Sequence, residues 1–417
     1  MTESSSPVPV RRAAVAFIFV TVMLDMLALG MVIPVLPKLI ETFRGGDTAR
    51  AATTLAVFGT VWGAMQFVAA PVLGSLSDRF GRRPVVLTSN FGLGFDYILM
   101  ALAPTLNWLF VGRVISGITA ASIPAAFAYI ADVTPVEGRA KSFGLMGAAF
   151  GIGFVVGPVL GGVLSRGGLR LPFWVAAALS LTNAMYGLFV LPESLPRERR
   201  MAFSWHRANP WGALTLLRRH RELLGFASVH FLYYLAHQSL QNVFVLYAGY
   251  RYGWDSLAVG LALGAVGVTT SIVQGGLVGP IVARFGERRT LITGLCFGAM
   301  AFVIYGLAET GPRFVIGIFV MSLWGLYGPS AQGLMTRRVS PSEQGQLQGA
   351  LSSVVTITGI VGPTLFSLTF AAFIGSLRDW HLPGAPFLLS AALLVVAIVL
   401  VARITRPIPP QPASVTA

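Results

Sequence analysis

The stretch GSLSDRFGRRP, Gly74–Pro84, stands between two apolar runs, each long enough to cross a bilayer. It gathers Asp78, Arg79, Arg82 and Arg83 into a short hydrophilic turn. Gly74 and Gly81 remove the Cβ where helix ends must bend. Asp78 and Arg82 stand four apart, the spacing of an ion pair on one helical face. Pro84 suits the first turn of a following helix. A basic loop of this kind can serve only to orient a membrane protein. A degenerate copy, GPIVARFGERR at Gly279–Arg289, gives it more weight, because it repeats the pattern in the second half of the chain.

The 417 residues are 55% hydrophobic and only 11% charged, against about 25% charged in soluble domains. Mean hydropathy is +0.73. Such a chain is a polytopic membrane protein, and twelve spans of about 20 residues nearly consume it. After Arg11 and Arg12 the chain stays apolar through Leu36. That exceeds a signal core of about 7–15 residues, so the run reads as a first transmembrane helix. Spans are predicted at 13–37, 52–73, 84–103, 107–130, 142–165 and 171–191, then at 221–248, 256–283, 289–308, 313–336, 344–374 and 385–404. Runs of this length exceed barrel strands of about 10 residues, which leaves helices.

Residues 192–220, PESLPRERRMAFSWHRANPWGALTLLRRH, are the one sizeable hydrophilic segment. They divide a bundle at 1–191 from a bundle at 221–417, with a short surface helix expected around Trp211–Leu217. Two further landmarks recur at nearly the same offset as the signature stretch. Thr134-Pro135-Val136-Glu137 answers Ser340-Pro341-Ser342-Glu343, and Gly157-Pro158 answers Gly362-Pro363. The expected fold is therefore an all-α membrane protein, with twelve transmembrane helices in two pseudo-symmetric six-helix bundles. Parallel repeats of this kind place a solute site between the halves near the midplane.

Net charge is +14, which in a soluble chain would suggest nucleic acid. Here 21 of the 30 Lys and Arg fall in segments on one side, 8 on the other, and one, Arg113, inside a span. The positive-inside rule then puts both termini in the cytoplasm, with the basic surface facing anionic headgroups rather than nucleic acid. The single cysteine, Cys296, cannot form an intramolecular disulfide, and packing is its expected role.

Asp25, Asp96 and Arg113 are ionisable residues that cannot easily reach an interface. Such groups cost a few kcal/mol or more in hydrocarbon, so each is a functional candidate. Counted along their spans by the helical rise, all three fall in one layer of the outer half. Two carboxylates and one guanidinium leave one acid to take up a proton or to face a cation. Gln66, Asn90, His237, Gln238, Gln241, Gln274 and Gln332 are candidate substrate contacts. Span 7 concentrates them, with His230 and Asn242 beside Tyr233, Tyr234 and Tyr247, and the repeat offset sets His230 opposite Asp25. Gly151–Gly162, GIGFVVGPVLGG, forms a smooth stripe that Pro158 bends.

Other chemistries lack their residues. The only lysines, Lys38 and Lys141, follow no glycine-rich phosphate turn. No Cys/His set has metal spacing, and no Gly-x-Ser-x-Gly turn stands in an enzyme context. No enzyme activity, cofactor or metal is expected.

Gly74–Pro84 resembles the signature loop of the major facilitator superfamily at every defining position. The whole chain resembles the twelve-span drug–proton antiporters, most closely their tetracycline-efflux branch. The resemblance runs through LDMLALGMVIPVLPKL (Leu24–Leu39), DYILMALAP (Asp96–Pro104), GRVISGITAA (Gly112–Ala121), RYGWDSLAVGLAL (Arg251–Leu263) and EQGQLQGALSSVVTITGIVGP (Glu343–Pro363). Gly157 and Pro158 match that group's antiporter motif. The resemblance implies proton coupling at Asp25 and Asp96 with Arg113 embedded beside them, and polar cavity positions at Gln66 and Gln332. It implies a cytoplasmic gate at Gly74, Asp78, Arg79, Gly81, Arg82 and Arg83. It also implies a monomer in a bacterial inner membrane exporting drug-like amphipathic compounds, with tetracycline among the candidates, in exchange for protons. A metabolite transporter of the same fold is the alternative. Two positions depart from the branch: Thr270 stands where it carries a histidine, and Gly298 where it carries an aspartate.

Overall fold

The computed structural model describes residues 8–120, 123–135, 138–203, 221–340 and 343–404. The expected surface helix at Trp211–Leu217 lies outside them. The described residues form twelve helical rods. In the first half these are α1 (Val8–Val32 with Leu36–Phe43), α2 (Thr48–Phe80), α3 (Arg82–Leu102), α4 (Leu106–Thr119 with Ile123–Val133), α5 (Arg139–Leu164) and α6 (Leu171–Val190). The second half comprises α7 (Arg221–Tyr252), α8 (Ser256–Ile272, Val273–Leu277 and Val278–Phe285), α9 (Glu287–Leu307), α10 (Gly311–Ser322, Leu323–Leu326 and Tyr327–Thr336), α11 (Gln344–Ile374) and α12 (Ala385–Ile404).

Ten rods are long and apolar enough to cross a membrane. The other two are α4, whose described parts are 14 and 11 residues long, and α7, whose middle carries His237, Gln238, Gln241 and Asn242. The result is an all-α membrane fold of two pseudo-symmetric halves.

Local chemistry explains the ends and breaks. Asp47 caps α2 by accepting from the Arg50 amide at 2.9 Å, and Asp255 caps α8 from the Ala258 amide at 2.8 Å. These caps satisfy amides that a helix start leaves open. The α2–α3 and α8–α9 turns each hinge on one glycine with positive φ, Gly81 (108°) and Gly286 (78°). Those two glycines hold the same place in the two copies of the signature stretch. Pro34 separates the two parts of α1, since a ring there deletes a backbone bond. Residues 273–277, VQGGL, form a π-helical turn inside α8.

The signature stretch differs from its expected form. Asp78, Arg79 and Phe80 are the last turn of α2 rather than a loop, and only Gly81 stands outside a helix. Apolar count alone ends the span at residue 73. The Asp78–Arg82 pair and the glycine cap carry regular structure about two turns further.

The halves meet along two seams at the end of the bundle away from the 192–203 segment. In one, Gly63 of α2 lies directly against the Gly359 carbonyl of α11. There Thr60 Oγ1 donates to the Ile360 carbonyl at 3.0 Å and lies 2.7 Å from Thr364 Oγ1. In the other, Gly260 of α8 lies against the Pro158 carbonyl of α5.

The same faces part toward the linker end. Gly144, Gly147 and Gly151 continue the α5 seam face at helical spacing, and no other described segment comes within 4 Å of their Cβ positions. The same holds for Gly275 and Gly279 of α8, and for Gly74 of α2 and Gly345 of α11. Among the described residues, the bundle is thus closed at one end and open at the linker end.

Candidate functional site

Asp25 on α1, Asp96 on α3 and Arg113 on α4 converge on Tyr97, which is buried and within electrostatic reach of all three. They share one layer, yet they do not share one contact. Among the described residues, neither carboxylate stands within ion-pair distance of Arg113. Asp25 is half-buried and accepts from Asn183 Nδ2 of α6 at 3.3 Å. Asn183 also bonds to Thr21, its Oδ1 accepting from the hydroxyl at 3.1 Å.

Asp96 is 1% exposed, and neither of its oxygens has a hydrogen-bond partner among the described residues. It lies beside Gly112, which leaves room for it one residue before Arg113. Arg113 is the cation that acts on Asp96. Its guanidinium sits over the Trp62 ring of α2, 5.2 Å from the centroid, and Trp62 Nε1 donates to Ser116 Oγ at 3.3 Å. A buried carboxylate without hydrogen bonds is costly as an anion. It is suited to carry a proton while the arginine is held on an aromatic face.

The second half presents aromatic rings at the repeat-equivalent place. His230, the repeat counterpart of Asp25, shares a 3.2 Å hydrogen bond between Nδ1 and the Tyr327 hydroxyl. Tyr233 stacks on Tyr327 with centroids 3.8 Å apart and lies 4.5 Å from Trp324. His237 lies 5.7 Å from Trp324. Trp324 belongs to the 3-10 turn in α10, and its indole fills the space beside Gly298, with Nε1 2.7 Å from where a Cβ would be. That buried N–H has no partner among the described residues.

The remaining polar candidates separate. Gln66 and Gln332 are half-buried, and Gln241 and Gln274 are exposed, Gln274 within the π turn. Asn90 is buried, with Oδ1 unpaired among the described residues. Gln238 packs against Gly362 of α11 and accepts from Asn242 Nδ2 at 3.1 Å, and Asn242 in turn abuts Gly59 of α2. These two residues tie α7 into the closed seam. Gly157 abuts Gly30 of α1, and Pro158 belongs to the α5–α8 seam. Cys296 is exposed on the α9 surface rather than packed, because its neighbours Leu295 and Gly298 take the inner face.

At the linker end, the Arg82 guanidinium joins three elements. It pairs with Asp78 of α2, donates to Ser77 Oγ at 2.9 Å, and meets Asp132 of α4 at 3.1 Å. The segment after α6 fastens onto this turn. Glu193 accepts the Arg82 amide at 2.8 Å and lies against Gly81, and the Met201 amide donates to the Asp78 carbonyl at 3.0 Å. Arg83 reaches the Leu188 carbonyl at 2.6 Å, and Arg79 extends over the Phe80 ring. Gly74 faces open space. Tyr97, Trp62, Asn183 and Trp324 are not among the site residues expected from sequence. Their roles depend on partners far along the chain, and only their position in apolar spans marks them.

A family model described as Major Facilitator Superfamily matches residues 18–278 and 226–417. Tetracycline resistance protein, class C, from Escherichia coli is 37% identical over 92% of this chain and 95% of its own. The class G protein from Vibrio anguillarum is 34% identical over 88% and 93%. Among solved structures, the nucleoside transporter NupG superposes with a TM-score of 0.75 at 15% identity, covering 95% of this chain and all of that one.

Proposed function

The chain belongs to the Major Facilitator Superfamily, and on that premise we propose that it exchanges a small amphipathic solute for protons by alternating access. It is a polytopic membrane protein that transports small molecules, and it is not an enzyme. The observation that carries the finer reading is the unpaired, buried Asp96 carboxylate beside Arg113, in a layer shared with Asp25. A proton taken up at this layer and released on the other side couples solute movement to the proton gradient. In this reading all twelve rods span a bacterial inner membrane as a monomer, and the charge asymmetry supports a linker end and termini on the cytoplasmic side. The open end then faces the cytoplasm, where an exporter collects its cargo. Closure there brings the glycine-lined faces of α5 and α8 together while the Thr60–Thr364 seam opens.

The aromatic wall of α7 and α10 suits a solute with flat apolar surface. Drug export, with tetracycline as a candidate, draws on the sequence similarity to resistance proteins. Transport of a cell-made metabolite is the second reading. It is favoured by Gly298 and Thr270, which remove two charged or titratable groups of the tetracycline branch, and the shared fold with a nucleoside transporter fits it as well. The test is reconstitution in liposomes with an imposed pH gradient. Proton flux is measured while tetracyclines, lipophilic dyes, nucleosides and organic anions are offered in turn. A solute that moves protons in the wild type and not in Asp96→Asn supports the coupled mechanism. Solute movement indifferent to the gradient would sink it.

A further inference from the structure

A cleft of about 330 Å³ lies at the closed end of the bundle, between the first turns of α2 and α4. Its walls include Arg44 from the α1–α2 connection, Arg50 and Val57 of α2, and Asn107 and Phe110 of α4. It is separate from the central layer. Arg50, Thr53 and Val57 recur at three- and four-residue spacing, so they share one face of α2. Gly59 and Gly63, which meet α11, lie on the other side of α2, and Thr60 stands at the boundary between the two faces. Val57 is 51% exposed, so the cleft opens sideways toward the bilayer.

Its floor and rim differ in chemistry. The floor is apolar, with Phe58 and Phe110 edge to face at 5.6 Å. The rim is cationic. Arg44 Nε donates to Thr54 Oγ1 at 2.9 Å, leaving its two terminal nitrogens without a protein partner among the described residues. Arg50 leans on Asp47 at 3.2 Å and is otherwise exposed. Counting Asp47, the rim keeps one net positive charge. From Arg50 to Phe58 the cleft runs about 12 Å along α2, from the level of lipid phosphates into that of the upper acyl chains.

We propose that this cleft binds one anionic phospholipid of the non-cytoplasmic leaflet. Its phosphate rests on Arg44 and Arg50, its glycerol hydroxyls on Thr53 and Asn107, and an acyl chain on Val57, Phe58 and Phe110. A zwitterionic headgroup would bring an ammonium against two arginines and is disfavoured. Each arginine near a membrane surface adds about 1 kcal/mol of attraction for anionic lipid, roughly fivefold in affinity.

The experiment is native mass spectrometry of the full chain, delipidated and titrated with phosphatidylglycerol, phosphatidylethanolamine or inorganic phosphate. One phosphatidylglycerol is expected per chain, held roughly fivefold or more tightly than phosphatidylethanolamine. Arg44→Ala with Arg50→Ala erases that preference, whereas Arg44→Lys with Arg50→Lys keeps most of it. Val57→Trp fills the cleft and expels the lipid with both arginines present. Thermal melting of each variant shows that the bundle is intact. Equal retention of the two lipids by the wild type, or unchanged retention by the double alanine variant, overturns the proposal. Displacement of the lipid by millimolar phosphate also overturns it, since the cleft would then be a site for a free anion.

Discussion

Arg82 Nε donates to Asp132 Oδ2 at 3.1 Å, and the repeat sets Glu287 and Arg337 at the same two positions, paired at 2.9 Å with the charges exchanged. Each pair ties the first turn of the third helix of its half to the linker end of the fourth. The duplication has kept the bond and reversed its polarity. In the first half Arg82 also pairs with Asp78, and in the second Ala283 occupies the position equivalent to Asp78. The first half therefore holds a triad and the second a simple pair.

Exchange of the second pair should consequently be tolerated. Glu287→Arg alone sets like charges against Arg337 and is expected to cut transport severalfold. Glu287→Arg with Arg337→Glu should recover most of it. Exposed ion pairs contribute about 0.2–1 kcal/mol, so melting temperatures should move little in either variant. Transport rates in proteoliposomes read the difference. A double variant as impaired as the single one would show that position, not pairing, matters.

Asp78 sits among more partners, and its loss should be worse. Asp78→Asn removes the charge opposite Arg82 while keeping the side chain's shape. Membrane insertion should be unchanged and transport reduced about tenfold or more, since Arg82 keeps Asp132 and Ser77 but loses the carboxylate that ties it back to α2. Normal transport by correctly inserted Asp78→Asn would reduce the stretch to an orienting loop.

Much of this was legible in the sequence. Apolar length set the spans, the nearly constant repeat offset exposed the two halves, and four-residue spacing gave the Asp78–Arg82 pair. Asp25, Asp96 and Arg113 announced themselves by cost alone. Sequence could not say which charge meets which neighbour. Asn183, not Arg113, bonds Asp25, from 158 residues away, and Trp62 takes the Arg113 guanidinium from another helix. Such partners follow from helix packing, which leaves no local pattern. The end of α2 escapes a hydropathy count for a related reason: the count stops at the first charges, whereas the helix continues through them to its glycine cap.

The two seams make a conformational prediction. In a Cys296→Ser background, Thr60→Cys with Thr364→Cys places two thiols where hydroxyl oxygens lie 2.7 Å apart. This pair should cross-link in the resting protein and block transport until reduced. Gly147→Cys with Gly275→Cys should cross-link only during turnover, when the linker end closes. Equal cross-linking of both pairs at rest would contradict alternating closure.

The coupling layer predicts different phenotypes for its two acids. Asp96 has no hydrogen-bond partner among the described residues, so Asp96→Asn mimics the protonated state and should allow solute exchange while abolishing uphill transport. Asp25 is held by Asn183, so Asp25→Asn should disturb that contact and weaken solute binding as well. Counterflow and gradient-driven uptake, measured side by side, separate the two. Gradient-driven transport surviving in both variants would move the proton site elsewhere, with His237 the next residue to test.

The last prediction concerns Gly298, where the tetracycline-efflux branch carries an aspartate. Restoring that acid is not a simple addition here. The Trp324 indole occupies the space beside Gly298, and Tyr233 and Phe302 hold the indole from two sides, with ring centroids 4.5 and 5.3 Å away. A carboxylate at Gly298 must displace the ring or be buried against it, and overpacking of this kind costs about 1–3 kcal/mol. Gly298→Asp should therefore lower thermal stability and bring no gain in tetracycline resistance. Gly298→Asp with Trp324→Ala opens room for the acid, but removing a buried indole costs about 3–5 kcal/mol of its own, so stability should stay below that of the wild type. Adding Thr270→His to that pair supplies the branch's other titratable group on the facing helix. If tetracycline resistance rises only in the triple variant, Trp324 is the residue that turns this site away from a charged chelate. A gain from Gly298→Asp alone, with stability intact, would show that the indole yields freely and that the aromatic wall does not set substrate choice.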